Sequence, residues 1–146
     1  MSPGAGTRAR NWDVGLIAWA ERLRGLPFEW GATDCAILCC EAFDLMTCAQ
    51  LAERYRGQYA NLHGARRYQM QHGITLKTVL EAAGCTPVRP HFQQRGDFLL
   101  ETAGGFACGH VCLGELALSA TPEAGVAFAP VRELLARPGC EILRAP

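Results

Sequence analysis

A thiol expected at the start of a helix and an imidazole expected on a strand are the groups in this sequence best suited to chemistry. The thiol is Cys35, which ends the run Pro27-Phe-Glu-Trp-Gly-Ala-Thr-Asp-Cys35. Thr33 or Asp34 can cap the helix that begins there. The unsatisfied amides of a first helical turn carry roughly half a positive charge and favour thiolate over thiol. A free cysteine has a pKa of about 8.5, and a helix N-terminus or a neighbouring imidazolium lowers it to roughly 3.5–7.5. Cys39 lies one turn further along the same face and Cys40 elsewhere on the helix, so neither shares the full field.

A cysteine nucleophile needs a base, and the base needs a group to orient it. Of the four histidines, His63, His72 and His91 fall in loops or polar segments, whereas His110 lies inside a predicted strand. If Gly114-Glu115 is a two-residue turn, paired positions sum to about 229 by that turn geometry. Val111 then faces Leu118 and His110 faces Ser119. Directly opposed side chains lie on one side of the sheet with Cβ atoms about 4.5–5.5 Å apart. Ser119 is therefore the expected partner of the imidazole.

The remaining cysteines complete a set of eight, at 35, 39, 40, 48, 85, 108, 112 and 140. No Cys-x-x-Cys pair occurs among them, so the spacing of a zinc ribbon or thioredoxin-like site is absent. Most read as small buried hydrophobes. Cys108, His110 and Cys112 alternate and would share one strand face, but Cys108 and Cys112 would then stand about 13 Å apart. Zinc needs its ligand atoms within about 2.0–2.3 Å of one point, so this set holds an ion only if the strand is broken at Gly109. No metal is expected.

The elements that must position these groups follow from periodicity. Trp12, Leu16, Trp19 and Leu23 mark a first amphipathic helix, opened by Asn11 and stopped at Gly25. Leu38, Ala42, Leu45 and Met46 mark the helix that carries Cys35. Residues 49–73 are polar and broken by glycines, and read as short helices and turns. Arg54, Arg56, Arg66 and Arg67 there read as a solvated basic face. A further helix runs from an N-cap at Thr75 to a terminating Gly84. Strands are predicted around Gly96–Thr102, Cys108–Leu113, Leu116–Ala120 and Gly125–Ala129, with a short helix near Arg132–Arg137. Helices first and an antiparallel meander second describe an α+β domain, N-terminal helices packed on a small antiparallel sheet. Residues 1–10 read as a flexible tail and 11–146 as a single domain.

A length of 146 residues suits one domain. Fourteen basic and fourteen acidic residues give a net charge of zero, so no nucleic-acid partner is expected. No apolar stretch reaches the roughly 18–20 residues of a membrane span. The first ten residues lack the apolar core of a signal peptide, so synthesis in a reducing cytoplasm and free thiols are expected.

The order Trp30-Gly-Ala-Thr-Asp-Cys35, Gly96-Asp-Phe-Leu-Leu100 and His110-Val-Cys-Leu-Gly114 resembles the NlpC-like cell-wall cysteine peptidases. Arg56-Gly-Gln-Tyr59, Gly64-Ala-Arg66 and Gln94-Arg-Gly-Asp97 are similar to a small phage and prophage tail-associated branch of that superfamily. The resemblance covers roughly residues 12–135 and implies a papain-like fold. It also implies Cys35 as nucleophile, His110 as base and Ser119 at or near the third position. Ala36-Ile37 stand where the family has Ser or Ala followed by Gly, and Ser119 where it has His, Asn or Gln. The implied activity is cleavage of amide bonds in peptidoglycan stem peptides, without a cofactor. The implied place is the virion, at the phage tail tip, with other tail-tip and hub proteins as partners. A catalytically inactive hub or plug on the same fold is the competing reading. A metal-binding module using Cys108, His110 and Cys112 is the third.

Overall fold

Three helices begin where a side chain replaces the missing first-turn partner, and in one of them Asn61 accepts from the amide of Gly64. Asp34 accepts from the amide of Ile37, and Thr75 forms a reciprocal capping box with Thr78. Asn11 precedes the first helix in a left-handed conformation (φ 55°) and makes no side-chain cap, because a capping side chain needs an extended backbone to reach the first-turn amides. The computed structural model describes residues 8–103 and 106–146. Of the expected tail, residues 1–7 lie outside the described residues. Residues 8 and 9 are held down: the amide of Ala9 donates to Met46, and Arg8 donates to the carbonyls of Ala145 and Pro146 while covering the Trp12 ring.

In chain order the elements are α1 (Trp12–Leu23), α2 (Cys35–Thr47), α3 (Leu51–Tyr55), α4 (Leu62–His72), α5 (Leu76–Ala82), β1 (Thr86–Val88), β2 (Phe98–Ala103), β3 (Phe106–Cys112), β4 (Leu116–Thr121), β5 (Gly125–Pro130), α6 (Val131–Leu135) and β6 (Glu141–Arg144). The strands form one six-stranded sheet in the order β1-β6-β2-β3-β4-β5, with every pairing antiparallel. The α+β class expected from the sequence is what the chain adopts. The meander β2 to β5 lies where the alternation placed it. Strands β1 and β6 were not anticipated, being three and four residues long. Pro87 is tolerated in β1 because that strand is an edge.

One sheet face packs against α1, α2 and α5 through Leu16, Leu38, Met46, Leu80, Phe98, Val111, Leu118 and Leu143. On the other face Leu99, Cys112, Ala117, Val131, Leu134 and Ile142 form a smaller core under α6. No helix among the described residues is long and apolar enough to cross a membrane.

The loop ahead of α2 turns at Gly31, whose φ of +79° belongs to the left-handed region. A Cβ there would stand 2.6 Å from the Tyr59 carbonyl oxygen. Gly57 has a similar φ of +75° but faces open space. Gly31→Ala should therefore destabilise by about 2–3 kcal/mol, and Gly57→Ala by about 1 kcal/mol. Urea unfolding of the two variants checks the difference, and equal losses would mean the Tyr59 contact relaxes freely.

Candidate active site

The Asp34 carboxylate fixes the start of α2 from both sides. One oxygen accepts from the Ile37 amide at 2.9 Å and the other from the Gly31 amide at 2.7 Å. Cys35 is the next residue and is 7% exposed. Both α2 and α5 rest on β3 at Gly109, where an added Cβ would lie 2.6 Å from Leu76 Cδ2 and 2.8 Å from Cys39 Sγ. Glycine at this position lets the helix carrying Cys35 approach the strand carrying His110.

The β3–β4 hairpin has the register expected from its turn, with Val111 opposite Leu118 and Cys112 opposite Ala117. The ladder ends there. Ser119 donates its hydroxyl to the carbonyl of Gly109 at 2.7 Å and lies 3.8 Å from Cys108 Sγ. It bridges the two strands where their pairing stops, and its recorded partners are Gly109 and Cys108 rather than the imidazole.

Glu101 takes the orienting role. Its Oε1 lies 2.9 Å from His110 Nε2, and the two side chains are 11% and 7% exposed. In the β2–β3 ladder Glu101 stands directly opposite Cys108 and diagonally from His110, a separation that a long side chain spans. Arg137, just past α6, donates to the same Oε1 at 2.7 Å. The other ring nitrogen, Nδ1, is buried without a hydrogen-bond partner.

What meets the Cys35 thiol is the Cys108 thiol. Cys35 is pushed well above the usual cysteine range, first by its hydrogen bond with Cys108 and then by burial. Cys108 is brought down to about 5, chiefly by the bond from Cys35; burial opposes this, and the nearby His110 reinforces it. Burial opposes the imidazolium of His110, but the nearby Cys108 thiolate and Glu101 outweigh it and raise the pKa. Cys35 is thereby favoured as the thiol and Cys108 as the thiolate, beside an imidazolium held by a carboxylate.

The other buried or half-buried thiols lack such help. Burial raises Cys39, Cys112 and Cys140, and takes Cys40 and Cys85 to about 12. Cys48 is exposed. Cys112 lies on the strand face of Cys108 and His110, but its thiol points to the Gly114 carbonyl at 3.5 Å, away from any shared ligand set. His63 and His72 lie on α4, and His63 contacts Arg67 at 2.7 Å.

The thiolate–imidazolium pair exists above the Cys108 pKa of about 5 and below the raised pKa of His110. In a Cys48→Ser background at pH 6.5, iodoacetamide should therefore label the Cys35–Cys108 pair before any other thiol, as peptide mass spectrometry would show. Glu101→Gln removes a charge that raises His110, so the alkaline limit of the imidazolium window should move to lower pH. An NMR titration of the imidazole checks the sign, and an unchanged or upward shift would remove Glu101 from this role.

A family model described as a domain of unknown function (DUF6950) matches residues 7–136. No curated protein and no solved structure matches the chain.

Proposed function

We propose that this chain, which belongs to the DUF6950 family, is a cysteine hydrolase with a papain-like, NlpC-type arrangement that cleaves amide bonds in peptidoglycan stem peptides. The observation that carries the reading is a thiol at the N-terminus of α2 linked through Cys108 to a histidine held by a buried carboxylate. Substrate class and placement at a phage tail tip, among other tail-tip and hub proteins, rest on the resemblance of Trp30–Cys35 and His110–Gly114 to that superfamily.

Cys35, rather than Cys108, is the nucleophile in this scheme. An acyl group on Cys35 would place its oxyanion at the amides of Cys35 and Ala36, since Asp34 already takes those of Ile37 and Leu38. Cys108 lies within a strand paired with β2 and offers no comparable turn. In the resting pair the proton stays on Cys35 and the charge on Cys108. Transfer of that proton to Cys108 frees the Cys35 thiolate, which attacks the carbonyl carbon. The imidazolium of His110 then protonates the departing amine as the tetrahedral adduct collapses to a thioester. Neutral His110 next takes a proton from water, which hydrolyses the thioester and returns Cys35. Glu101 keeps the ring oriented and favours its charged form.

Digestion of purified peptidoglycan, with fragments identified by mass spectrometry, tests the proposal. New termini at a stem-peptide amide bond are expected from the wild-type protein. Intact peptidoglycan, from free protein and from assembled particles alike, would overturn it. The burial of Cys35 favours a second reading, an inactive hub or plug of the tail tip, in which Cys35→Ala particles assemble and infect as the wild type does.

A further inference from the structure

We infer that Glu101, Cys108 and His110 form a binding site for a divalent cation of borderline softness, Zn²⁺ above all. The site is distinct from the Cys108–His110–Cys112 set that strand spacing brings to mind, because Cys112 turns away and Glu101 enters from the neighbouring strand. A carboxylate oxygen, the Cys108 sulfur and an imidazole nitrogen all lie within 4.8 Å of one another. Tetrahedral zinc with bonds of about 2.0–2.3 Å sets its ligand atoms about 3.3–3.8 Å apart. Closing that difference takes about 1 Å of movement, within the reach of small side-chain torsions.

Thiolate, imidazole and carboxylate together match zinc, whereas magnesium and calcium take oxygen donors alone. Three protein ligands leave the fourth position to water. The donors stand on paired strands, Glu101 directly opposite Cys108 and His110 two residues further on, so their spacing is set by the sheet rather than by a loop. The buried Nδ1 of His110 supplies an independent sign. The residue is 6% exposed, yet this nitrogen has no hydrogen-bond partner, so the ring holds more bonding capacity than the protein uses. Ser119, 3.8 Å from Cys108 Sγ, is placed to support the sulfur from behind.

Arg137 opposes a cation through its own charge. Its side chain is half-exposed and can swing from Glu101 into solvent as the metal arrives. If the hydrolase reading holds, a bound zinc ion also withdraws His110 from proton transfer and silences the enzyme; that consequence alone rests on the proposed function.

The test uses the full chain with Zn²⁺ or Cd²⁺ alone. Titration against a chelating dye should show one equivalent of Zn²⁺ bound, and Cd²⁺ should give a sulfur-to-metal charge-transfer band. Cys108→Ser should abolish the band and weaken Zn²⁺ binding by at least about 100-fold. Glu101→Gln should weaken it by about 10–100-fold. Cys112→Ser and Cys35→Ala should retain band and stoichiometry, with circular dichroism confirming that each variant folds. Absence of stoichiometric binding, binding indifferent to Cys108→Ser, or loss in Cys112→Ser or Cys35→Ala equal to that in Cys108→Ser would overturn the site. Because these readouts need no turnover, zinc binding without peptidoglycan cleavage would refute the hydrolase alone, and cleavage without zinc binding the metal site alone.

Discussion

Cys35→Ala is expected to lower release of stem-peptide fragments by at least about a thousandfold, while Cys108→Ala retains turnover with an altered pH profile. The contrast follows from where each thiol sits. Cys35 begins a thirteen-residue helix, so its loss removes both the attacking sulfur and the use of the first-turn amides. Cys108 adjusts the charge of its neighbours. Removing it deletes the largest influence that raises Cys35 and two of those that raise His110. Both pKa values then fall. The Cys35 thiolate forms at lower pH, and the imidazolium is lost at lower pH, so the whole activity window moves toward acid. Initial rates for both variants across the pH range check this. If Cys108→Ala is dead and Cys35→Ala active, the roles of the two thiols are exchanged.

Asp97→Ala should give the largest loss of stability, about 3–4 kcal/mol. Asp97 is 0% exposed. Its two oxygens each lie 2.9 Å from Arg144, through Nε and Nη2, and one also accepts from the Gln94 amide at 2.8 Å. Alanine leaves a partly buried guanidinium without its counter-ion and a backbone amide without its acceptor. It also unties β6 from the entry to β2. Thermal unfolding should begin roughly 10 °C earlier. A shift under about 2 °C would mean that Arg144 finds solvent at little cost.

Much of this architecture can be read from residue order alone. Asp34 and Thr75 cap as their types require, and the Gly114-Glu115 turn fixes the β3–β4 register that brings Ser119 beside the site. The partner of His110 escapes that reading for a geometric reason. The Gly114-Glu115 hairpin reports on the β4 side of β3 alone and carries no information about the β2 side. The signal was present: Gly104-Gly105 read as a two-residue turn sets Glu101 against Cys108, the pairing that β2 and β3 adopt. The meeting of Cys35 with Cys108 is less accessible. It depends on how closely α2 settles on Gly109, which no periodicity encodes. Strands β1 and β6 are too short for alternation to register, and their pairing joins residues more than fifty apart in sequence.

The position of β6 also orders events in time. Residues 141–144 insert between β1 and β2, so a nascent chain that already contains both thiols and His110 still lacks the strand that joins β1 to the sheet. Until residues 141–144 have been made, β2 has an open edge and Asp97 has no arginine. In the hydrolase proposed above, competence would therefore await a cooperative event governed by long-range pairing, the docking of β6 between β1 and β2.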